Sequence, residues 1–231
     1  MIRACVFDMD GVLIDTEPVW RRVERDVLAR VGVELTDDQL RETWGKRIEE
    51  VVDHWYSTRA WDGVRPRAVR REIVREMVQH VREEGAPMPG AVAAMSAARD
   101  AGLLVAIASS SSRDLIDAVV ERLGIAQLVD GVCTADDEVL GKPDPGVYRS
   151  AARLLGVEPG DCIAVEDSPA GIRSARAAGM MCVGVRSHGP LSDDINDADV
   201  VLDSLAEFTL ELLQRLRASD VDQVGRRPRN G

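Results

Sequence analysis

The stretch that decides the fold is Ala4-Cys5-Val6-Phe7-Asp8-Met9-Asp10-Gly11-Val12. Four residues run without a polar break, two acids follow two positions apart, and a glycine comes next. A short, unbroken apolar run reads as a strand buried on both faces, as in a parallel sheet. The acids then stand at its carboxyl end, which is where ligands bind in open α/β sheets. Extended backbone aims Asp8 and Asp10 the same way, and Gly11 lets the chain turn sharply behind them.

The strand, predicted over 2–7, needs partners, and the chain supplies them late. Residues 16–84 contain no strand-like run; they read as helices over 17–31, 37–44, 46–58 and 67–83, with Thr36 as an N-cap and Pro66 in a first turn. From residue 90 onward, helices (90–101, 113–123, 145–155, 169–178, 205–217) alternate with strands (103–108, 131–134, 162–165, 181–185, 199–202). This pattern predicts an α/β fold: a doubly wound parallel-sheet (Rossmann-like) core from residues 1–15 and 87–217, with an inserted all-helical cap over 16–86. Residues 218–231, with Arg226, Arg227 and Arg229, read as a disordered, solvated tail.

Composition fits this picture. A chain of 231 residues, 45% hydrophobic and 30% charged, can bury a sizeable core and is neither disordered, collagenous nor a disulfide mini-protein. A net charge of −11 argues against nucleic acid or an anionic membrane as partner, though not against a small anionic substrate. No signal-like or membrane-spanning run is expected. Cys5, Cys133, Cys162 and Cys182 form no close pair and read as reduced thiols in a cytoplasmic protein. All four tryptophans, Trp20, Trp44, Trp55 and Trp61, fall in 16–86, either as the insertion's own core or as a pocket wall. His54 and His80 read as structural or exposed; His188 follows the fifth strand, near the crevice edge.

The other strand ends carry the chemistry. They are followed by Ser109-Ser110-Ser111-Ser112, by Gly141-Lys142-Pro143-Asp144-Pro145 and by Glu166-Asp167-Ser168. Taken singly, each has an ordinary reading as a turn, an N-cap or a surface lysine. Together, in this order, they bring Asp8, Asp10, Glu166 and Asp167 to one crevice. Four carboxylates repel unless a cation intervenes. A hard divalent ion such as Mg²⁺ suits an all-oxygen set and needs only one or two carboxylates plus water and phosphate. Ser109 and Ser110, ahead of a helix, form an anion site, and Lys142 adds a compact positive charge. These are the parts of phosphoryl transfer through an aspartyl-phosphate.

At these residues the chain resembles the haloacid dehalogenase superfamily. Val6-Phe7-Asp8-Met9-Asp10-Gly11-Val12-Leu13 is similar to its first motif, Ile107-Ala108-Ser109 to its second, Lys142-Pro143 to its third and Val165-Glu166-Asp167-Ser168 to its fourth. The insertion resembles the helical cap of the phosphoglucomutase-like subgroup. Asp15-Thr16-Glu17-Pro18-Val19-Trp20, Gly45-Lys46-Arg47-Ile48, Val51-Val52-Asp53-His54-Trp55-Tyr56 and Trp61-Asp62-Gly63 resemble the hexitol phosphatase and 2-deoxyglucose-6-phosphate phosphatase group.

The resemblance implies that Asp8 is the nucleophile and that Asp10 is the acid and base. It implies Mg²⁺ on Asp8, on Asp167, on Asp10 through its backbone carbonyl, and on Glu166 directly or through water. Ser109, the Ser110 backbone and Lys142 would hold the phosphoryl oxygens, and Arg47 and Trp20 would contact the substrate from the cap. The expectation is a monomeric Mg²⁺-dependent phosphatase of small sugar or polyol phosphates. A β-phosphoglucomutase-like mutase is the alternative, weakened because such mutases carry a histidine where this chain has Trp20. A catalytically silent ligand-binding protein is a third reading, and it sits poorly with the retained acids and lysine.

Overall fold

A computed structural model describes residues 1–43, 45–187 and 192–224. Its centre is a parallel six-stranded sheet ordered β3-β2-β1-β4-β5-β6. The strands are β1 (Ala4–Phe7), β2 (Leu104–Ser109), β3 (Gly131–Thr134), β4 (Cys162–Glu166), β5 (Met181–Val185) and β6 (Val200–Leu202). All four residues of β1 are buried, which the unbroken apolar run requires of a central strand. Chain order runs outward from β1 on one side and from β4 on the other, so the winding reverses between them and a crevice opens at their carboxyl ends. Phe7 pairs with Val165, so Asp8 and Glu166 are the next residues out on adjacent strands.

The two sheet faces are covered differently. Cys5, Phe7, Val105, Ile107, Ile163 and Val165 join one apolar cluster with α5 (Ala91–Asp100), α6 (Arg113–Leu123) and α9 (Leu210–Val224). Ala4, Val6, Ala106, Ala108 and Ala164 face α7 (Gly146–Leu155) and α8 (Pro169–Ala178), which contribute Tyr148, Ala151, Ala152, Ile172 and Ala175. The small side chains on this second face let those helices approach closely.

Between β1 and α5 lie α1 (Glu17–Ala29), α2 (Asp37–Glu42), α3 (Ile48–Thr58) and α4 (Pro66–Glu84). Buried residues recur every fourth position, as Val19, Val23 and Val27 on α1 and as Val69, Ile73, Met77 and Val81 on α4, which is the stripe of an amphipathic helix. Burying each such side chain contributes roughly 1.5–3 kcal/mol. Thr36 closes a reciprocal capping box with Gln39, and Pro66 sits at the start of α4. Trp55 and Trp61 are buried in the helices' own packing; Trp44 and His188 lie outside the described residues.

The C-terminal expectation needs correction. Instead of one helix over 205–217, a single 3-10 turn at Leu205–Glu207 is closed by a capping box between Ser204 and Glu207. Phe208 is then buried edge-on against Phe7, and α9 runs from Leu210 to Val224. Residues 218–224 are therefore helical rather than tail, since nothing before Gly225 breaks the helix. Residues 225–231 lie outside the described residues. The four cysteines are free, and no described helix is long and apolar enough to cross a membrane.

Candidate active site

Two strand ends build the acidic side of the crevice. Oxygens of Asp8, Glu166 and Asp167 lie within 4.8 Å of one another, and all three residues are buried. Lys142 Nζ spends its three donors on Asp8 Oδ1 at 2.6 Å, Glu166 Oε1 at 2.7 Å and the Ala108 carbonyl at 3.1 Å. Its ammonium also lies 5.1 Å from the centre of the Tyr148 ring. Burial alone would lower the lysine pKa, but the carboxylates of Asp8 and Glu166 more than offset this and raise it. Asp8 and Asp167 are both raised, first by burial and then by their acidic neighbours.

Glu166 differs from the other two acids in having no oxygen to spare. Oε1 accepts from Lys142 and, at 2.7 Å, from the Tyr148 hydroxyl; Oε2 accepts from the Asp167 and Ser168 amides and the Ser168 hydroxyl. These five bonds fill a carboxylate's capacity of about four lone-pair sites. The residue fits the role of an organiser that holds Lys142 and the β4 turn, and it is poorly placed for direct metal ligation.

Asp10 is set apart by its own donors. Its Oδ1 accepts from Thr16 Oγ1 at 2.6 Å and Trp20 Nε1 at 2.9 Å, and its Oδ2 from Ser111 Oγ at 2.7 Å and Ser109 Oγ at 3.5 Å. The Asp10 carboxylate is thus turned to the start of α1 and the serine run, away from the three-acid group. Ser109 is fully buried at the end of β2, and its hydroxyl accepts the Ser111 amide. Ser110 and Ser111 line the cleft in front of Asp8 together with Trp20, Lys142 and Asp167.

The facing wall of this cleft comes from the inserted helices: Glu17, Arg21 and Glu24 of α1, Arg41 of α2, and Lys46 of the turn before α3. Here the structure departs from the expectation for Arg47. Lys46 is exposed on the cleft, whereas Arg47 turns to the segment after β3 and donates to the carbonyls of Ala135 and Glu138. Trp20 does line the cleft, but its indole N–H is committed to Asp10.

The residues fit a divalent cation. Three buried carboxylates against one lysine leave an excess of negative charge, and the donor set is all oxygen, the preference of a hard ion. The Gly11 backbone (φ +75°) hugs this group, and a Cβ there would lie 2.1 Å from Asp167 Oδ2. Asp8 and Asp167 would hold the ion.

Several site residues escape a motif reading. Thr16 and Ser111 look like an N-cap and a loop serine; only the fold aims both hydroxyls at Asp10. Tyr148 looks like a helix core residue. Gly171 looks incidental, yet a Cβ there would lie 1.7 Å from the Glu166 carboxylate.

Comparison with known proteins agrees with this geometry. Residues 2–179 match the family model of the haloacid dehalogenase-like hydrolases. The chain is 37% identical over 214 residues to hexitol phosphatase B of Escherichia coli K12, covering 90% of this chain and 95% of that protein. CbbY of Rhodobacter sphaeroides, solved with phosphate, is 29% identical with a TM-score of 0.80, covering 90% of this chain and 96% of that one. β-Phosphoglucomutase of Clostridium difficile shares the fold at a TM-score of 0.82 and 24% identity, covering 96% of this chain and all of that one.

Proposed function

The chain belongs to the haloacid dehalogenase-like hydrolases and is a phosphatase, and from that premise we propose that it cleaves small sugar or polyol phosphates, with Mg²⁺, through a phosphorylated Asp8. The observation that carries this reading is the pairing of Asp8 with Lys142 at 2.6 Å, at the point where the sheet reverses and Asp167 and Glu166 arrive. Lys142 holds one Asp8 oxygen and leaves the other for attack. In the first half-reaction Asp8 attacks phosphorus and the alcohol leaves, taking a proton from Asp10. In the second, Asp10 removes a proton from water, which attacks phosphorus and frees Asp8. The Thr16 and Ser111 hydroxyls can donate or accept, so they hold Asp10 in either protonation state. Ser109, the Ser110 backbone and Lys142 supply donors to the phosphoryl oxygens as charge builds.

Asp8, Asp167 and the Asp10 backbone carbonyl are the proposed metal ligands; when bound, the ion would neutralise the phosphoryl group's charge. We assign residues 16–86 the role of a cap whose polar wall faces the ester's leaving group, and the active unit is a monomer. The sugar or polyol class draws on the likeness to hexitol phosphatase B and on a wall of carboxylates, guanidinium groups and Lys46, which can pair with hydroxyls.

The test is phosphate release from 2-deoxyglucose 6-phosphate, sorbitol 6-phosphate, mannitol 1-phosphate, fructose 1-phosphate and β-glucose 1-phosphate, with and without Mg²⁺. Metal-dependent release peaking on a hexose or hexitol ester is expected. Conversion of β-glucose 1-phosphate to glucose 6-phosphate without release would establish a mutase instead. No turnover of any ester would overturn the reading.

A further inference from the structure

We propose that Arg47 is a positioning residue for Lys142: from the start of α3 it clamps the segment that carries the lysine into the crevice. The guanidinium has five N–H donors, and all five have acceptors. Nε and Nη2 both reach Glu50 Oε1, at 2.9 and 2.8 Å. Nη1 reaches the carbonyls of Ala135 and Glu138, both at 3.1 Å, and Nη2 reaches the Val139 carbonyl at 3.5 Å. No donor is left for a substrate. A planar fork can grip several carbonyls at once, which a lysine ammonium cannot do with the same geometry.

The gripped segment, 135–141, runs from β3 to Lys142. Its base is held elsewhere: Thr134 Oγ1 donates to the Ser111 carbonyl at 2.6 Å, and the Glu138 carboxylate accepts the Ser150 hydroxyl on α7. Its tip is exposed, with Val139 at 92% and Leu140 at 59%. Arg47 ties that tip to the inserted helices. Gly141 keeps the space open, since a Cβ there would lie 2.9 Å from Arg47 Nε and 3.1 Å from Glu50 Oε1. One residue further on, Lys142 must meet Asp8 and Glu166 together, at 2.6 and 2.7 Å. A misplacement of about 1 Å in such an array can cost ~10²-fold in rate.

The activity part of the test rests on the phosphatase reading; hydrogen exchange does not. Arg47→Ala, Arg47→Lys and Gly141→Ala would be compared with the wild type on sorbitol 6-phosphate and on acetyl phosphate, whose leaving group is too small to reach the facing wall. Because Lys142 serves the phosphoryl group, Arg47→Ala should lower kcat/KM by about 10-fold or more on both, by the same factor. Arg47→Lys should recover only part of this, and Gly141→Ala should reproduce the loss with Arg47 intact. Amide hydrogen exchange in 135–142 should quicken in Arg47→Ala while 162–166 is unchanged. A loss confined to sorbitol 6-phosphate, with unchanged exchange, would make Arg47 a substrate contact and overturn the proposal. So would exchange that rises throughout the chain, or no change at all. If the wild type cleaves no ester, the phosphatase reading fails, and faster exchange confined to 135–142 in Arg47→Ala still decides whether the clamp exists.

Discussion

In the β1/β4 crevice, Asp8, Lys142, Glu166 and Asp167 are each 0–8% exposed, and Lys142 ties Asp8 to Glu166 through bonds of 2.6 and 2.7 Å. Across the cleft, Glu17, Arg21 and Glu24 are part-exposed and Arg41 and Lys46 exposed, and the Arg21–Glu17 contact is a loose 3.5 Å. Both regions are rich in charge, but the first is desolvated throughout, whereas the second is desolvated only at its base, around Glu24, and open to water at Arg41 and Lys46. Taking charges out of water costs several kcal/mol per ion and is recovered only through near-complete pairing. The crevice therefore tolerates one arrangement, which suits a reaction common to every phosphate ester. The outer part of the wall, Arg41 and Lys46, stays solvated, where a charge contributes little and side chains adapt, which suits a leaving group that differs between esters.

The contrast can be broken hardest at Asp8. Asp8→Asn should lower kcat by ~10⁴-fold or more, because an amide cannot act as the nucleophile. Thermal melting should not fall, since the change removes a charge that burial, and then its acidic neighbours, disfavour more than Lys142 favours it. A large drop in melting temperature would show that Asp8 supports the fold instead.

Gly171→Ala attacks the same region from behind, through the Glu166 carboxylate. Overpacking of this kind costs roughly 1–3 kcal/mol, so urea denaturation should show that loss, with kcat/KM falling alongside. Unchanged stability would mean that α8 can shift freely and that the crevice is less rigid than described.

The wall should respond more mildly. Lys46→Ala should raise KM for a sugar phosphate a few-fold, about 1 kcal/mol or less for an exposed charge, and leave kcat and the turnover of acetyl phosphate nearly unchanged. A large fall in kcat would place Lys46 with the catalytic groups and erase the contrast.

The last effect, on stability and not on turnover, concerns Glu24, raised from 4.5 to about 8, first by burial and then by Glu17. The folded protein binds this proton more tightly than the unfolded chain, so stability is highest below about 4.5 and falls as pH rises toward about 8. Glu24→Gln should remove that decline and raise the melting temperature at pH 8, with little change at pH 4. A difference of equal size at both pH values would show that the carboxyl is not titrating across this window.

Much of this was legible in the chain. The run from Ala4 to Phe7 can be satisfied only in the middle of a sheet, and the alternation beyond residue 90 supplies its neighbours, because burial patterns repeat with the period of the element that makes them. Asp8, Asp10, Ser109, Glu166 and Asp167 were visible because each stands at or just past a strand end, and parallel strands bring those ends to one edge; Lys142 was visible beside Pro143 on the connection that leaves β3, beyond the segment 135–141. The sequence also set the places where the chain turns, through residues such as Gly11, Thr36 and Pro66, whose local preferences need no distant partner.

Only the tertiary structure decided which polar groups meet. Asp10 and Glu166 look alike in a motif, but one is claimed by Thr16, Ser111 and Trp20 and the other by Lys142, Tyr148 and the β4 turn. Lys46 and Arg47 are neighbours in the chain, yet one faces the cleft and the other grips carbonyls some ninety positions away. Hydrophobic period is a local property of the chain. A hydrogen bond needs its two atoms within about 3 Å, and for residues far apart in sequence that distance is fixed by the packing of whole elements.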